Sequence, residues 1–383
     1  GHTVLPGFVG LHDHTFYMTA VRSIQSTYTA PRLYLAAGVT TIRTTGAMQP
    51  YAEINLKRDI ERGLVPGPRM YITGPYITGP GASDNMYQVR GPEDARRAVA
   101  YWAEEGASWF KAYTLIRRDE LQAVVEEAHR RGLKVTGHLC SVSFREAVAL
   151  GMDALEHGFF TNTDWHPGKR PDACPADLRG SLRNVDLAAE PVQATIREMV
   201  KSKVALTSTL PVYELYVPNR PPLEERVLET MAPEARREYL TSRERIAATA
   251  AESPMPEVFR KAQAFELAFF RAGGLLGAGS DPTGIGGALF GFGDQRGYEL
   301  LIEAGFTPIE AIQVMTSNGA KILGIDDRLG SVVPGQLADL VVIRGDPVKN
   351  PAEIRNVVMV FKDGIGYDSA KLIAAVKGQV GVR

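Results

Sequence analysis

Eight short β-like runs recur along the first 325 residues, most of them separated by an amphipathic helical pattern. They occupy 7–14, 38–46, 69–77, 108–113, 133–139, 154–158, 203–210 and 274–281. No other feature constrains the chain as strongly. A strand–helix–strand unit joins parallel strands, and each helix must bury its apolar stripe on the sheet. Eight units predict an α/β fold, a (β/α)8 TIM barrel. The helical patterns carry their own boundaries. "GPEDARRAVAYWAEEG" (91–106) places Pro92, Glu93 and Asp94 where a helix starts. "RDELQAVVEEAHRRG" (118–132) closes in a basic turn and a glycine.

After about residue 325 the pattern changes. The stretch "GSVVPGQLADLVVIRGDPVKNPAEIRNVVMVFKDG" (330–364) is β-rich, with turn residues between its runs. It predicts a small partial β-sandwich beside the barrel. The chain therefore divides into a barrel, 1–325, and a small β-rich domain with a C-terminal tail, 326–383. Connections 78–90, 159–190 and 211–256 are long, which points to function. The last reads as a lid or an oligomer contact. "GIGGALFGFG" (284–293) lacks the Gly-Lys-Ser/Thr ending of a phosphate loop and reads as a loop needing close backbone approach.

Bulk properties exclude several roles. A formal net charge of −1 without a basic stripe argues against nucleic acid. No apolar run is long enough to cross a membrane as a helix. The two cysteines, Cys140 and Cys174, do not make a disulfide framework, and Cys140 reads as a buried inert thiol. The chain opens in the lead-in to a strand, with no signal peptide. A cytoplasmic setting is expected; export stays open because the native N-terminus reads as missing.

Unusual polar residues gather at the predicted strand ends. In "GLHDHTF", His12 and His14 share one face of the first strand. Lys111 ends the fourth, His138 the fifth, His157 the sixth and Asp281 the eighth. In a barrel these ends open onto one mouth, where such enzymes place their active sites. Neutral imidazole and carboxylate suit Zn²⁺ and similar metals. Asp281 could hold a metal and shuttle a proton to a leaving amine. Lys111 is the awkward member, because an ammonium has no lone pair and repels a cation. It must be deprotonated or chemically changed. Tyr113 should point into the same mouth and contact the substrate, with Tyr213 and Tyr216 as weaker candidates. Arg90, in "MYQVRGPED", is a candidate to pair with a substrate carboxylate, beside the plainer and preferred reading of a solvated surface arginine. His129 and His166 read as surface residues.

The motifs "VLPGFVGLHDH", "FKAY", "TGHL", "LEHG", "GSDPT" and "GSVVPGQLADLVVI" together resemble the amidohydrolase superfamily, from residue 4 to about 364. The branch most similar is the imidazolonepropionase-related one, which includes Xaa-Pro dipeptidases and ochratoxin-type amidases. The resemblance implies that Lys111 is carboxylated by CO₂ and bridges two divalent metal ions, zinc foremost. His12, His14 and Asp281 would hold the more buried ion, and His138 and His157 the other. It implies a binuclear hydrolase of amide-type bonds in small molecules, dipeptides or N-acyl amino acids. A metal-bridging hydroxide is the nucleophile; Lys111, His157 and Asp281 carry the catalysis. Cyclic-amide hydrolysis, deamination, and cleavage of a carbamate or urea are the alternatives, followed by a catalytically dead binding barrel. Leu139 stands where dipeptidase-type members carry Tyr, which weighs against proline dipeptides. The family's N-terminal half of the sandwich is absent, and the exposed sheet edge this leaves predicts a homo-oligomer.

Overall fold

The computed structural model describes residues 1–382. Each predicted β-run contains a strand: Phe8–Gly10, Val39–Arg43, Arg69–Tyr71, Trp109–Ala112, Lys134–Gly137, Ala154–Glu156, Ala205–Ser208 and Leu276–Ala278. They are shorter than the runs because the chain leaves the ladder at their carboxyl ends, where the polar residues stand. The third run is also split. Its pairing stops at Tyr71 and resumes at Tyr76–Thr78 in a different sheet, across Gly74 at φ +65° and Pro75, which has no N–H to donate.

All eight strands run parallel. The sixth, seventh, eighth, first, second and third form one sheet in that order. The fourth and fifth pair with each other in a second sheet, beside Tyr76–Thr78 and Tyr87–Gln88. Backbone hydrogen bonds link the two sheets on both sides. The N–H groups of Ser108 and Trp109 donate to Ile72 O at 2.8 and 3.2 Å, and Asp153 N–H donates to Val135 O at 3.2 Å. The second and seventh strands are buried along their whole length, as parallel strands covered on both faces are.

Two of the covering helices show how the sequence does this. Helix Pro92–Glu104 buries Ala95, Ala98, Val99 and Trp102, a stripe at three- and four-residue spacing. Helix Arg118–Arg130 buries Leu121, Val124, Val125 and Ala128, and its Glu120 carboxylate accepts the Arg117 N–H at 3.0 Å, closing the helix start.

A four-stranded antiparallel sheet lies beyond the eighth strand. Leu340–Arg344 and Val357–Lys362 come from the predicted β-rich stretch, Ile365–Asp368 follows directly after it, and the outer strand His2–Pro6 comes from the other end of the chain. The tail then returns to the parallel sheets' helices: Ser369 Oγ donates to Ala36 O at 2.6 Å, and Val380 exchanges backbone hydrogen bonds with Thr230 and Ala232. Among the described residues no helix is long and apolar enough to cross a membrane.

One sequence expectation is overturned. Cys140 and Cys174 are joined in a disulfide, with Cα atoms 4.9 Å apart, so Cys140 is not a free thiol. Two distant cysteines carry no signal of pairing until the fold brings them together. The bond pins the connection after the sixth strand to the end of the fifth. Arg118 holds the same connection through two side-chain hydrogen bonds to Asp172, each 3.1 Å. The crosslink spans a separation of 34 residues. In the chain-entropy account, closing such a loop stabilises by roughly 3–4 kcal/mol. Cys140→Ser/Cys174→Ser is therefore expected to lower unfolding stability by about 2–4 kcal/mol. Urea unfolding, with and without a thiol reductant, checks this: the reductant should reproduce the loss in wild type and leave the double variant unaffected.

Candidate metal centre

The carboxyl ends of the strands surround a cavity of about 230 Å³. His12, His14, Lys111, His138, His157 and Asp281 all line it. Five of the six are almost wholly buried; His138 is half-buried. His12 and His14 follow the first strand directly, and Asp281 N–H donates to His12 O at 2.9 Å, tying the ends of the first and eighth strands together. His157 and Asp281 have φ of 68° and 48°. Left-handed backbone at non-glycine residues is costly and is held in place by the surrounding fold.

The ring orientations are set from behind. His14 Nδ1 lies 3.0 Å from Gly46 O, which can only accept, so Nδ1 carries the proton and Nε2 the lone pair. His12 Nδ1 lies 2.8 Å from Glu156 Oε2 and is protonated for the same reason. His12 Nε2 then faces Lys111 Nζ at 3.3 Å and Asp281 Oδ2 at 3.7 Å. His14 Nε2 is 3.4 Å from Asp281 Oδ1. His157 Nδ1 bonds Thr209 Oγ1 at 2.7 Å, while its Nε2 is buried without a hydrogen-bond partner. The His138 ring sits 4.3 Å from that of His157, centre to centre.

Burial and charge complete the picture. Burial, helped by Lys111, lowers His12 to about 4 and drives His138 well below the usual imidazole range. Burial, with the neighbouring His138, does the same to His157. All three are neutral at pH 7, as metal ligands must be. Burial lowers Lys111 to about 8. Burial alone would raise Asp281, but His12, His14 and Lys111 hold it well below the usual carboxylate range. One ligand atom each from His12, His157 and Asp281 lies within 4.8 Å of the other two, close enough to share one ion. His14, His138 and Lys111 border that trio.

Tyr113, Tyr213 and Tyr216 line the cavity. Arg90 does not: it is exposed, and its backbone N–H donates to the Asp94 carboxylate at 3.0 Å. The arginine that reaches the cavity is Arg179. His129 pairs with Asp153 at 2.9 Å, away from the site. The glycine-rich 284–293 loop does need close approach; a Cβ on Gly287 would fall 2.4 Å from the Tyr239 ring.

Sequence reasoning missed the residues behind the ligands. Glu156 is fully buried and takes hydrogen bonds from His12, Arg43 and Thr136. Arg43 is fully buried too; its Nε donates to Leu11 O at 2.9 Å and its guanidinium lies 4.6 Å from the Trp109 ring centre. Their signal was present: "TTIRTTG" and "ALEHG" each place one charge inside an otherwise buried strand run. Asp13 was equally hidden between the two histidines. It turns away from the cavity and accepts from Ser280 N–H and Oγ at 2.9 and 3.1 Å.

The amidohydrolase family profile matches residues 3–163 and 277–366, and the chain belongs to the amidohydrolase family. An adenine deaminase from Clostridium botulinum is 42% identical over 65 residues, a match covering 17% of this chain and 11% of the deaminase's length. Solved structures cover far more. A Xaa-Pro dipeptidase with bound methionine is 22% identical, with TM-score 0.68 over 96% of this chain and 87% of its own. A bottromycin amidohydrolase is 20% identical, with TM-score 0.75 over 97% and 80%. The ochratoxinase of A. niger is 18% identical, with TM-score 0.65 over 95% and 83%. At such identities the likeness speaks for the fold alone.

Partners that orient a ligating histidine are worth 10–100-fold in metal affinity. Glu156→Gln is therefore expected to weaken metal retention about 10–100-fold against a competing chelator. Metal content per chain, measured after titration with the chelator on protein verified as folded by circular dichroism, reads this directly. Retention equal to wild type would remove Glu156 from the role.

Proposed function

We propose that the chain is a metal-dependent hydrolase of amide-type bonds in small molecules, built on a closed (β/α)8 barrel. The bridged parallel sheets support the barrel. The 326–383 segment, with His2–Pro6 added, is read as a second unit, and its outer strands leave Val4 and Ile365 exposed for association with another copy. One observation carries the functional reading: four nearly buried ligand candidates, His12, His14, Lys111 and Asp281, and the half-buried His138 line one cavity with His157, whose buried Nε2 has no partner. A buried imidazole nitrogen without a partner is costly unless something binds it.

Two divalent ions fit this donor set. His12, His14 and Asp281 would hold one, and His138 and His157 the other. Lys111 would bridge them once carboxylated. Its lowered pKa supports this, since the neutral amine adds CO₂ and releases one proton to become an anionic carbamate. Bound divalent ions would lower the pKa of a water toward ~7 and polarise the substrate carbonyl. Zn²⁺ is the ion we favour: imidazole and carboxylate ligands accept it, as they accept several other divalent metals.

The chain's own side chains supply the remaining steps. Asp281 is held ionised and accepts the proton of the attacking water. It then delivers that proton to the leaving nitrogen, so an amine and a carboxylate are released. Burial pushes the Tyr113 hydroxyl up to about 12, so it stays a hydrogen-bond donor at neutral pH. It donates to the reacting carbonyl. A small cavity walled by Met18, Met48, Met86 and the tyrosines suits dipeptides or N-acyl amino acids. Deamination or cyclic-amide hydrolysis is the second reading, favoured by the short deaminase match.

A pooled assay tests the reaction. Protein loaded with Zn²⁺ in bicarbonate would meet dipeptides, N-acyl amino acids, aryl carbamates, aryl ureas and cyclic amides, with products read by mass spectrometry. Cleavage of linear amides is expected. Asp281→Asn should lower kcat by about 10²–10⁴-fold, the scale of general acid–base catalysis. Turnover near wild type would contradict its role. Tyr113→Phe should cost about 10²-fold in kcat, as loss of one donor to a developing oxyanion does. Unchanged kcat and KM would place Tyr113 in packing instead.

A further inference from the structure

The cavity that holds the candidate metal centre is also lined by Arg179, an arginine outside the ligand set, and by one carboxylate, Asp281. Lys111 is buried among the histidines. Arg179 is different. It stands on the short helix Leu178–Leu182, in the connection that the Cys140–Cys174 bond and the Arg118–Asp172 pair hold against the barrel. Among the described residues no carboxylate comes within 4.0 Å of its guanidinium. By contrast, Arg118 and Arg145 both pair with acids, at 3.1 and 2.7 Å.

The guanidinium is supported by aromatic rings instead. Its central carbon lies 5.0 Å from the centre of the Tyr216 ring and 5.6 Å from that of Tyr213. Rings at these distances attract the guanidinium through their faces, and apart from the donor that meets the Tyr216 hydroxyl its N–H groups are left for a ligand. The Tyr213 ring is in turn 5.5 Å from the His157 ring and stacked on Phe160 at 3.7 Å. One tyrosine ring therefore separates the candidate metal centre from the unpaired cation. Two residues of extended chain span ~7 Å. A substrate cleaved at the centre would bring a group one residue away to the guanidinium.

We propose that Arg179 is a specificity-determining residue that receives the carboxylate of the substrate's amino-acid portion. It would make the chain selective for N-acyl amino acids and dipeptides over their uncharged carboxamides. The inference rests on the amide-hydrolase reading and narrows its substrate class. A pre-oriented guanidinium takes a carboxylate through two parallel N–H···O bonds, and such charge-assisted bonds exceed what a carboxamide can make. The apolar Met18, Met48 and Met86 on the same cavity would receive the uncharged remainder of the molecule.

The test has two arms, both on the full chain loaded with Zn²⁺ in bicarbonate. The first measures kcat and KM for N-benzoyl-L-leucine and N-benzoyl-L-leucinamide in wild type, Arg179→Met and Arg179→Lys. Wild type should favour the acid by about 10–100-fold in kcat/KM. Arg179→Met should collapse that ratio toward one, mainly through KM, and Arg179→Lys should restore part of it. The second arm needs no hydrolysis. Calorimetry should find hydrocinnamate binding more tightly than hydrocinnamamide in wild type, with the difference lost in Arg179→Met. Hydrolysis with an unaltered ratio in Arg179→Met would overturn the assignment of Arg179 and leave the hydrolase reading standing. No hydrolysis, with Arg179-dependent binding of hydrocinnamate, would overturn the hydrolase reading and leave the carboxylate site standing. Equal or absent binding of the two probes would overturn the carboxylate site.

Discussion

The buried carboxylate of Glu156 is the point on which the rest of the site depends. It sits at the end of the sixth strand with no exposure to solvent, bonded to Arg43 from the second strand, Thr136 from the fifth and His12 after the first. Burial works against its charge, and Arg43, His12 and Lys111 hold it ionised nonetheless. Taking an ion pair out of water costs several kcal/mol per ion, so such a pair is a poor source of stability. Its value is geometric. It draws the carboxyl ends of four strands to one point between the parallel sheets and fixes the proton of His12 on Nδ1, so that Nε2 faces the cavity.

The same logic runs outward. Gly46 O does for His14 what Glu156 does for His12, and Thr209 engages the Nδ1 of His157. Each of these three imidazoles is oriented by a partner on another element rather than by its own strand. Burial keeps His12, His138 and His157 neutral, and the cationic and imidazole groups around Asp281 keep it charged. A set of neutral nitrogens around one anionic oxygen is the donor chemistry that a borderline divalent metal prefers. Arg179 extends the pattern to the mouth, where an unpaired cation faces the cavity.

The fold was legible because parallel strands and covering helices write different periods into the sequence. All eight runs hold a strand, and helices Pro92–Glu104 and Arg118–Arg130 end within two residues of their predicted limits. The lining residues His12, His14, Lys111, His138, His157 and Asp281 were legible because strand ends converge in this topology. What escaped were relations between distant segments. Cys140 and Cys174 pair only because the connection after the sixth strand folds back over the fifth. The strand His2–Pro6 joins a sheet whose other strands lie more than three hundred residues away, and its short run "HTVLP" gives no hint of that partner. Arg90 and Arg179 look alike in the sequence, each an arginine in a long connection. Only the path of the loop decides which one reaches the cavity.

The most direct test of a binuclear site with a modified lysine is anomalous diffraction. Crystals would be grown with Zn²⁺ and bicarbonate, with data collected on either side of the zinc edge. The account predicts two zinc peaks per chain, about 3.5–4 Å apart as in other two-metal sites, bridged by density extending from Lys111 Nζ by one carboxylate group. A single peak bound by His12, His157 and Asp281, with Lys111 ending in a bare amine, would contradict it.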